Sequence, residues 1–132
     1  MEPENSKLTD GIKNIWYMTR SMKGDWLTAF NTCKSFGLEL VTFDSKHEEN
    51  EILTSFSKFT SISNLAFIGI IDEGNPGSWY KSTNGERITH LMAFHPKELI
   101  ETCLAVETIG EQAMLSAIDC NKKLNFICKR IM

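Results

Sequence analysis

Four cysteines, Cys33, Cys103, Cys120 and Cys128, constrain this 132-residue chain more than any other feature. An even number permits complete pairing in three ways, and the spacing does not choose among them. No two form a CxxC, and no histidine stands at zinc-finger distance from them, so structural zinc is not expected. On the residues alone two readings stay open: disulfides in an oxidising compartment, or buried free thiols in a cytosolic chain. The length fits one domain able to bury a core. Hydrophobic residues at 42% and aromatic residues at 10% match an ordinary globular protein.

Several function classes are set aside early. A net charge of −3, with Lys and Arg scattered, leaves no footprint for nucleic acid. The longest apolar run, LAFIGII (65–71), falls far below the roughly 18 residues a membrane helix needs, so no membrane insertion is expected. The opening MEPENSKLTDG is polar and lacks the apolar segment of a signal peptide. Residues 1–11 therefore read as a flexible tail and 12–132 as a single domain. GxSxG, HExxH and a phosphate-cradling glycine loop are all missing, so no enzyme is expected.

Periodicity divides the chain into a helical half and a strand-rich half. NIWYMTR reads as a strand. Asp25 is placed to cap a helix in DWLTAFNTCKSFG, where Trp26, Ala29, Phe30, Cys33 and Phe36 form one apolar stripe. Gly37 then stands where a left-handed C-terminal cap belongs. LELVTF alternates as a short strand. Ser45 and Glu48 have capping-box spacing at the start of a second helix, whose buried stripe is Ile52, Phe56 and Phe59. His47 lies on its polar side. LAFIGII, two pieces around Asn84-Gly85, TCLAVET, MLSAIDC and KLNFICKR follow as strands, Asn-Gly being a hairpin signal. Strand alternation divides Trp79 and Tyr80 between core and surface. Two helices before a strand-rich half predict an α+β fold.

Taken in order, Trp26, Ala29, Cys33, Gly37, Leu40, Ser45, Glu48, FIGI (67–70), Trp79, Asn84-Gly85, ETCL (101–104), Cys120 and FICK (126–129) resemble a C-type lectin-like domain. The likeness is to the compact four-cysteine secreted form, and it covers the chain from about Ile15 to Lys129. It implies two helices packed on antiparallel sheets with a long loop region. The implied pairing is Cys33 with Cys128 and Cys103 with Cys120. An extracellular, oxidising compartment is then expected, with Met1 standing where a removed leader would have ended. The short cysteine framework and the DEGNPGSW turn are similar to secreted invertebrate members, which implies innate immune or surface recognition.

In sugar-binding members of that family, oxygen donors surround one calcium ion that also chelates two sugar hydroxyls. The resemblance places those donors on MAFHPKELIETCL and on the strand before Cys120. Here the loop tripeptide reads His95-Pro96-Lys97, followed by Glu101. The Asn-Asp position reads Ser116-Ala117, and the preceding Trp is Leu115. Imidazole nitrogen suits hard calcium poorly, a methyl group offers nothing, and an ammonium opposes a dication. No calcium is therefore expected at the sugar position, and no other cofactor. Asp72, Glu98 and Glu101 match the family's auxiliary calcium position, where three carboxylates could hold the ion weakly in a structural role. The family's proline at Pro96 is usually cis. His90 and His95 lack a third ligand for a metal.

A secreted, non-enzymatic recognition domain is expected, binding a protein or glycan without the sugar-coordinating calcium. The candidate ligand-binding residues are His90, His95, Pro96, Lys97, Glu101 and Ser116. One alternative is a carbohydrate-binding lectin, calcium-assisted or with an atypical site. Another is a noncovalent assembly subunit of a lectin-like complex. Because the resemblance uses all four cysteines internally, a monomer or noncovalent dimer is expected.

Overall fold

Alternating side chains give the central strands two apolar faces, and a helix covers each face. The computed structural model describes residues 5–9, 15–19, 21–59, 64–72, 78–88 and 103–130. The described strands are β1 (Asn5–Thr9), β2 (Ile15–Thr19), β3 (Leu38–Leu40), β4 (Leu65–Ile71), β5 (Trp79–Lys81), β6 (Arg87–Ile88), β7 (Cys103–Ile109), β8 (Gln112–Ile118) and β9 (Asn125–Arg130). The helices are α1 (Trp26–Ser35) and α2 (Lys46–Phe56), the latter followed by a single 3-10 turn, Ser57–Phe59. The strands run β1-β2-β9-β4-β5-β6, with β3 beside β9 and the β7–β8 hairpin beside β4. Among the described strands, all pairings are antiparallel except β4 with β9.

The face under α2 gathers Trp16, Met18, Ala66, Ile68, Ile70, Leu104, Val106, Leu115 and Ile127 around Ile52, Leu53 and Phe56. The opposite face sets Tyr17, Phe67, Ala105, Phe126 and Cys128 against Ala29 and Cys33 of α1. Burying one such large side chain stabilises by about 1.5–3 kcal/mol, so both clusters carry substantial energy. Trp26 anchors α1 by donating its indole N–H to the Ile68 carbonyl at 2.9 Å. Gly69 lets β4 approach β3, since a Cβ there would lie 2.8 Å from the Leu40 carbonyl oxygen.

Both disulfides join the pairs the family resemblance implies. Cys33–Cys128 ties α1 to β9 across 95 residues, and Cys103–Cys120 ties β7 to the turn after β8 across 17. By the chain-entropy relation they stabilise by about 4.7 and 3 kcal/mol. With no free cysteine left, the free-thiol reading is set aside.

The helix ends follow local chemistry closely. Asp25 Oδ1 accepts from Thr28 N–H at 2.8 Å. Gly37 sits at φ 75° and returns its N–H to the Lys34 carbonyl at 3.0 Å. Ser45 Oγ accepts from Glu48 N–H at 3.1 Å, but the Glu48 carboxylate reaches Asp44 N–H, one residue beyond the expected box.

Three expectations need correction. Asn5–Thr9, inside the segment expected to be a flexible tail, pairs with β2 over its full length. A polar stretch with one leucine shows little strand signal, and the free edge of β2 supplies the hydrogen-bonding partner that propensity does not. LELVTF is a strand only to Leu40: its ladder with β9 ends there, and the Val41 carbonyl accepts from Gly69 N–H instead, although both faces of the segment stay buried. Leu38 and Leu40 face α1 while Val41 and Phe43 face the α2 cluster. Finally, α2 stops at Phe56, with Leu53 and Glu49 joining Ile52 and Phe56 as its buried residues.

Candidate functional site

The β7–β8 hairpin carries the described half of the candidate site. Its register sets Ala105 opposite Ser116 and Leu104 opposite Ala117. Leu115 and Ala117 consequently point into the α2-side cluster, and Ala117 presents a methyl group to apolar neighbours. Ser116 points the other way and is fully buried. Its hydroxyl donates to Glu107 Oε1 at 2.6 Å, a diagonal bond across the hairpin that a carboxylate acceptor makes short and strong. The Ser116 proton is thus committed inside the fold.

Asp72 follows β4 directly and is completely buried, next to Ile71, whose partner in the ladder is Cys103. It already interacts within the fold. The other candidates, His90, His95, Pro96, Lys97, Glu98 and Glu101, lie outside the described residues, as do residues 73–77 of the DEGNPG turn. Ser116 and Asp72 are therefore the candidates that can be placed. Among the described residues, no three His, Cys, Asp or Glu side chains cluster as a metal site. Judged on Ser116 and Ala117, the described pair does not fit a sugar-coordinating calcium: one is a buried, uncharged hydroxyl and the other side chain has no oxygen.

Sequence reasoning missed the clasp at the base of the hairpin that leads towards the 89–102 segment. Lys81 of β5 has a side chain only 7% exposed, and its ammonium contacts Asp44, from the loop before α2, and Glu86, at 3.4 Å. Burial pushes that ammonium towards neutrality. The hydrogen bond and charge of Asp44, with Glu86 behind them, outweigh burial and hold its pKa above the ordinary lysine value. The signal was present but non-local, since Lys81 and Asp44 lie 37 residues apart.

Two clefts of about 300 Å³ open on the surface. One lies between α1, the start of β3 and the turn after β5; the other lies between α2 and the β7–β8 turn. No helix among the described residues is long and apolar enough to cross a membrane.

Comparison with known proteins gives a consistent picture. The lectin C-type domain family model matches residues 22–130. The C-type lectin domain of murine dendritic cell inhibitory receptor 2, solved in complex with N-glycan, is similar at 19% identity and TM-score 0.76, each chain covered in full. Human lithostathine is similar at 16% identity and TM-score 0.76, over 99% of this chain and 100% of its own. A calcium-independent type II antifreeze protein is similar at 17% identity and TM-score 0.70, over 98% of this chain and 94% of its own. At these identities the structures speak for the fold. A search of curated proteins found no match.

Proposed function

Because this chain belongs to the C-type lectin domain family, we propose that it is an extracellular, non-enzymatic recognition domain that binds a protein or glycan without the sugar-coordinating calcium. The observation that carries this reading is the Ser116-Ala117 pair on β8. Ser116 donates to Glu107, and Ala117 packs in the apolar cluster. Calcium needs six to eight oxygens; at this pair Ala117 offers no side-chain oxygen and the Ser116 hydroxyl is buried, away from solvent. Two disulfides support an extracellular setting. A solved relative whose printed description is calcium-independent supports the idea that this scaffold works without the ion. On this reading His90, His95, Pro96, Lys97 and Glu101 make the contact surface, and the protein is a monomer or noncovalent dimer.

Calcium titration by calorimetry, paired with a glycan array run with calcium and with chelator, tests the reading. The expected result is ligand binding that chelator leaves unchanged. Chelator-sensitive monosaccharide binding by the natural chain would overturn it. A weak isotherm abolished by Asp72→Asn, with ligand affinity intact, would belong instead to the auxiliary position formed with Glu98 and Glu101.

A further inference from the structure

Among the described residues, β3 has a partner on one edge only. It pairs with β9 from Leu38↔Arg130 to Leu40↔Cys128, and no described strand pairs with its other edge. The register fixes which amides point outward. Val41 N–H donates to the Ile127 carbonyl at 3.0 Å. Val41 N–H and, by register, the polar groups of Glu39 therefore turn towards β9, and those of Leu38 and Leu40 turn away; the Val41 carbonyl, just past the strand, accepts from Gly69 N–H of β4 at 2.7 Å. The Leu40 carbonyl lies against Gly69. No turn, cap or loop hydrogen bond between described residues reaches Leu38.

A cleft of about 300 Å³ runs along this edge. Its lining includes three consecutive residues, Gly37, Leu38 and Glu39, with Phe30 and Lys34 from α1 and Ser82-Thr83 from the turn after β5. Ser82 N–H donates to the Gly69 carbonyl at 2.9 Å and so ends the β4–β5 pairing where the outer edge of β3 begins. Among the described residues, none fills the sheet position beside Leu38, which leaves a slot walled on one side by a strand edge.

We propose that this slot is a strand-addition site taking an extended segment of a partner polypeptide, whose main chain pairs with the N–H and C=O of Leu38. A peptide fits because it alone repeats a donor and an acceptor at the spacing a strand edge presents. Side chains of the added strand alternate between faces. Those on the α1 face meet Phe30 and Leu38, with Lys34 laid 5.0 Å over the Phe30 ring, and are apolar. Those on the other face lie beside Glu39 and are basic. The proposal uses none of the loop residues invoked above, and its test leaves them unchanged.

Fluorescein-labelled hexapeptides alternating valine and lysine are the probe, with matching valine–glutamate peptides and a set N-methylated on alternate amides. Saturable polarisation is expected for the valine–lysine peptide, with amide shifts confined to Leu38 and its neighbours. N-methylation in the register facing Leu38 should weaken binding at least tenfold. Thr83→Trp, at an exposed position that fills the slot, should abolish binding without unfolding the domain. Glu39→Lys should transfer preference to the valine–glutamate peptide. Absence of binding by any peptide, or binding indifferent to N-methylation and to Thr83→Trp, overturns the proposal. So does a dimer in sedimentation that Thr83→Trp dissociates, which would give the slot to a second copy.

Discussion

The two faces of the sheet are held by different physics. Under α1, both disulfides sit within or against the cluster, so that a few covalent links do much of the holding. Under α2 there is no cysteine. That face relies on close-packed side chains, Trp16, Phe43, Phe56 and Ile52 among them, and on charged links at its margin such as Lys129 to Glu48 at 4.0 Å. Cross-links act mainly by restricting the unfolded chain, whereas packing acts on the folded one. Reductant and cavity-forming substitutions should therefore separate the two faces.

The largest effect is expected from Cys33→Ala with Cys128→Ala. Removing the tie across 95 residues should cost about 4–5 kcal/mol in urea unfolding. Amides that exchange only through global unfolding should lose protection together, whereas those that exchange by local opening should lose it on the α1 face and keep it on the α2 face. Equal loss among the locally exchanging amides of both faces would break the comparison. Next in size is Phe56→Ala, a fully buried ring under α2. It should cost about 3–5 kcal/mol, and by the same amount whether the second disulfide is intact or reduced.

Lys81→Met should cost less, about 1–2 kcal/mol, because Asp44 and Glu86 are more than half exposed and regain water when the ammonium is lost. The lysine pKa is raised in the folded state, so its contribution is complete below the ordinary value of 10.5 and fades as pH rises through the folded value. Unfolding of the natural chain should accordingly lose stability in strong base more steeply than Lys81→Met. Equal slopes would deny the clasp any role at the margin of the α2 face.

How far the sequence reaches follows the range of each interaction. The Asp25 cap, the left-handed Gly37 and the Asn84-Gly85 turn, with Gly85 at φ 73°, depend on a few neighbouring residues and were readable in advance. Strand alternation also divided Trp79 from Tyr80 as core from surface, and the structure buries Trp79 while leaving Tyr80 partly exposed. What escaped was set by partners distant in the chain. Asn5–Thr9 is a strand because β2 offers an edge, and Lys81 is buried because Asp44 comes to meet it. The cysteine pairing came from the likeness to a family, as spacing alone allowed three. Ser116 was singled out as a ligand-binding candidate from the family likeness; its bond to Glu107 needed the hairpin register, which Gly110 at φ 65° helps to set.

The smallest effect tests the caps, where the faces also differ: α1 is capped by a carboxylate and α2 by a hydroxyl. The Thr28 backbone N–H holds the Asp25 carboxyl below its ordinary value of 3.8, with Lys123 adding a minor pull. A lowered folded value means the stabilisation is present above the unfolded pKa and is lost as pH falls through the folded one. Acid should therefore loosen the first turn of α1, while the Ser45 cap of α2, having no proton to gain, stays as it is. Asp25→Asn keeps an oxygen acceptor for Thr28 but removes the titration. The protection of the Thr28 amide, its exchange rate taken relative to the intrinsic rate at each pH, should fall from neutral pH into acid in the natural chain and stay flat in Asp25→Asn. An identical acid response in the two chains would mean that the sensitivity of the α1 face lies elsewhere, and the contrast between the caps would fall with it.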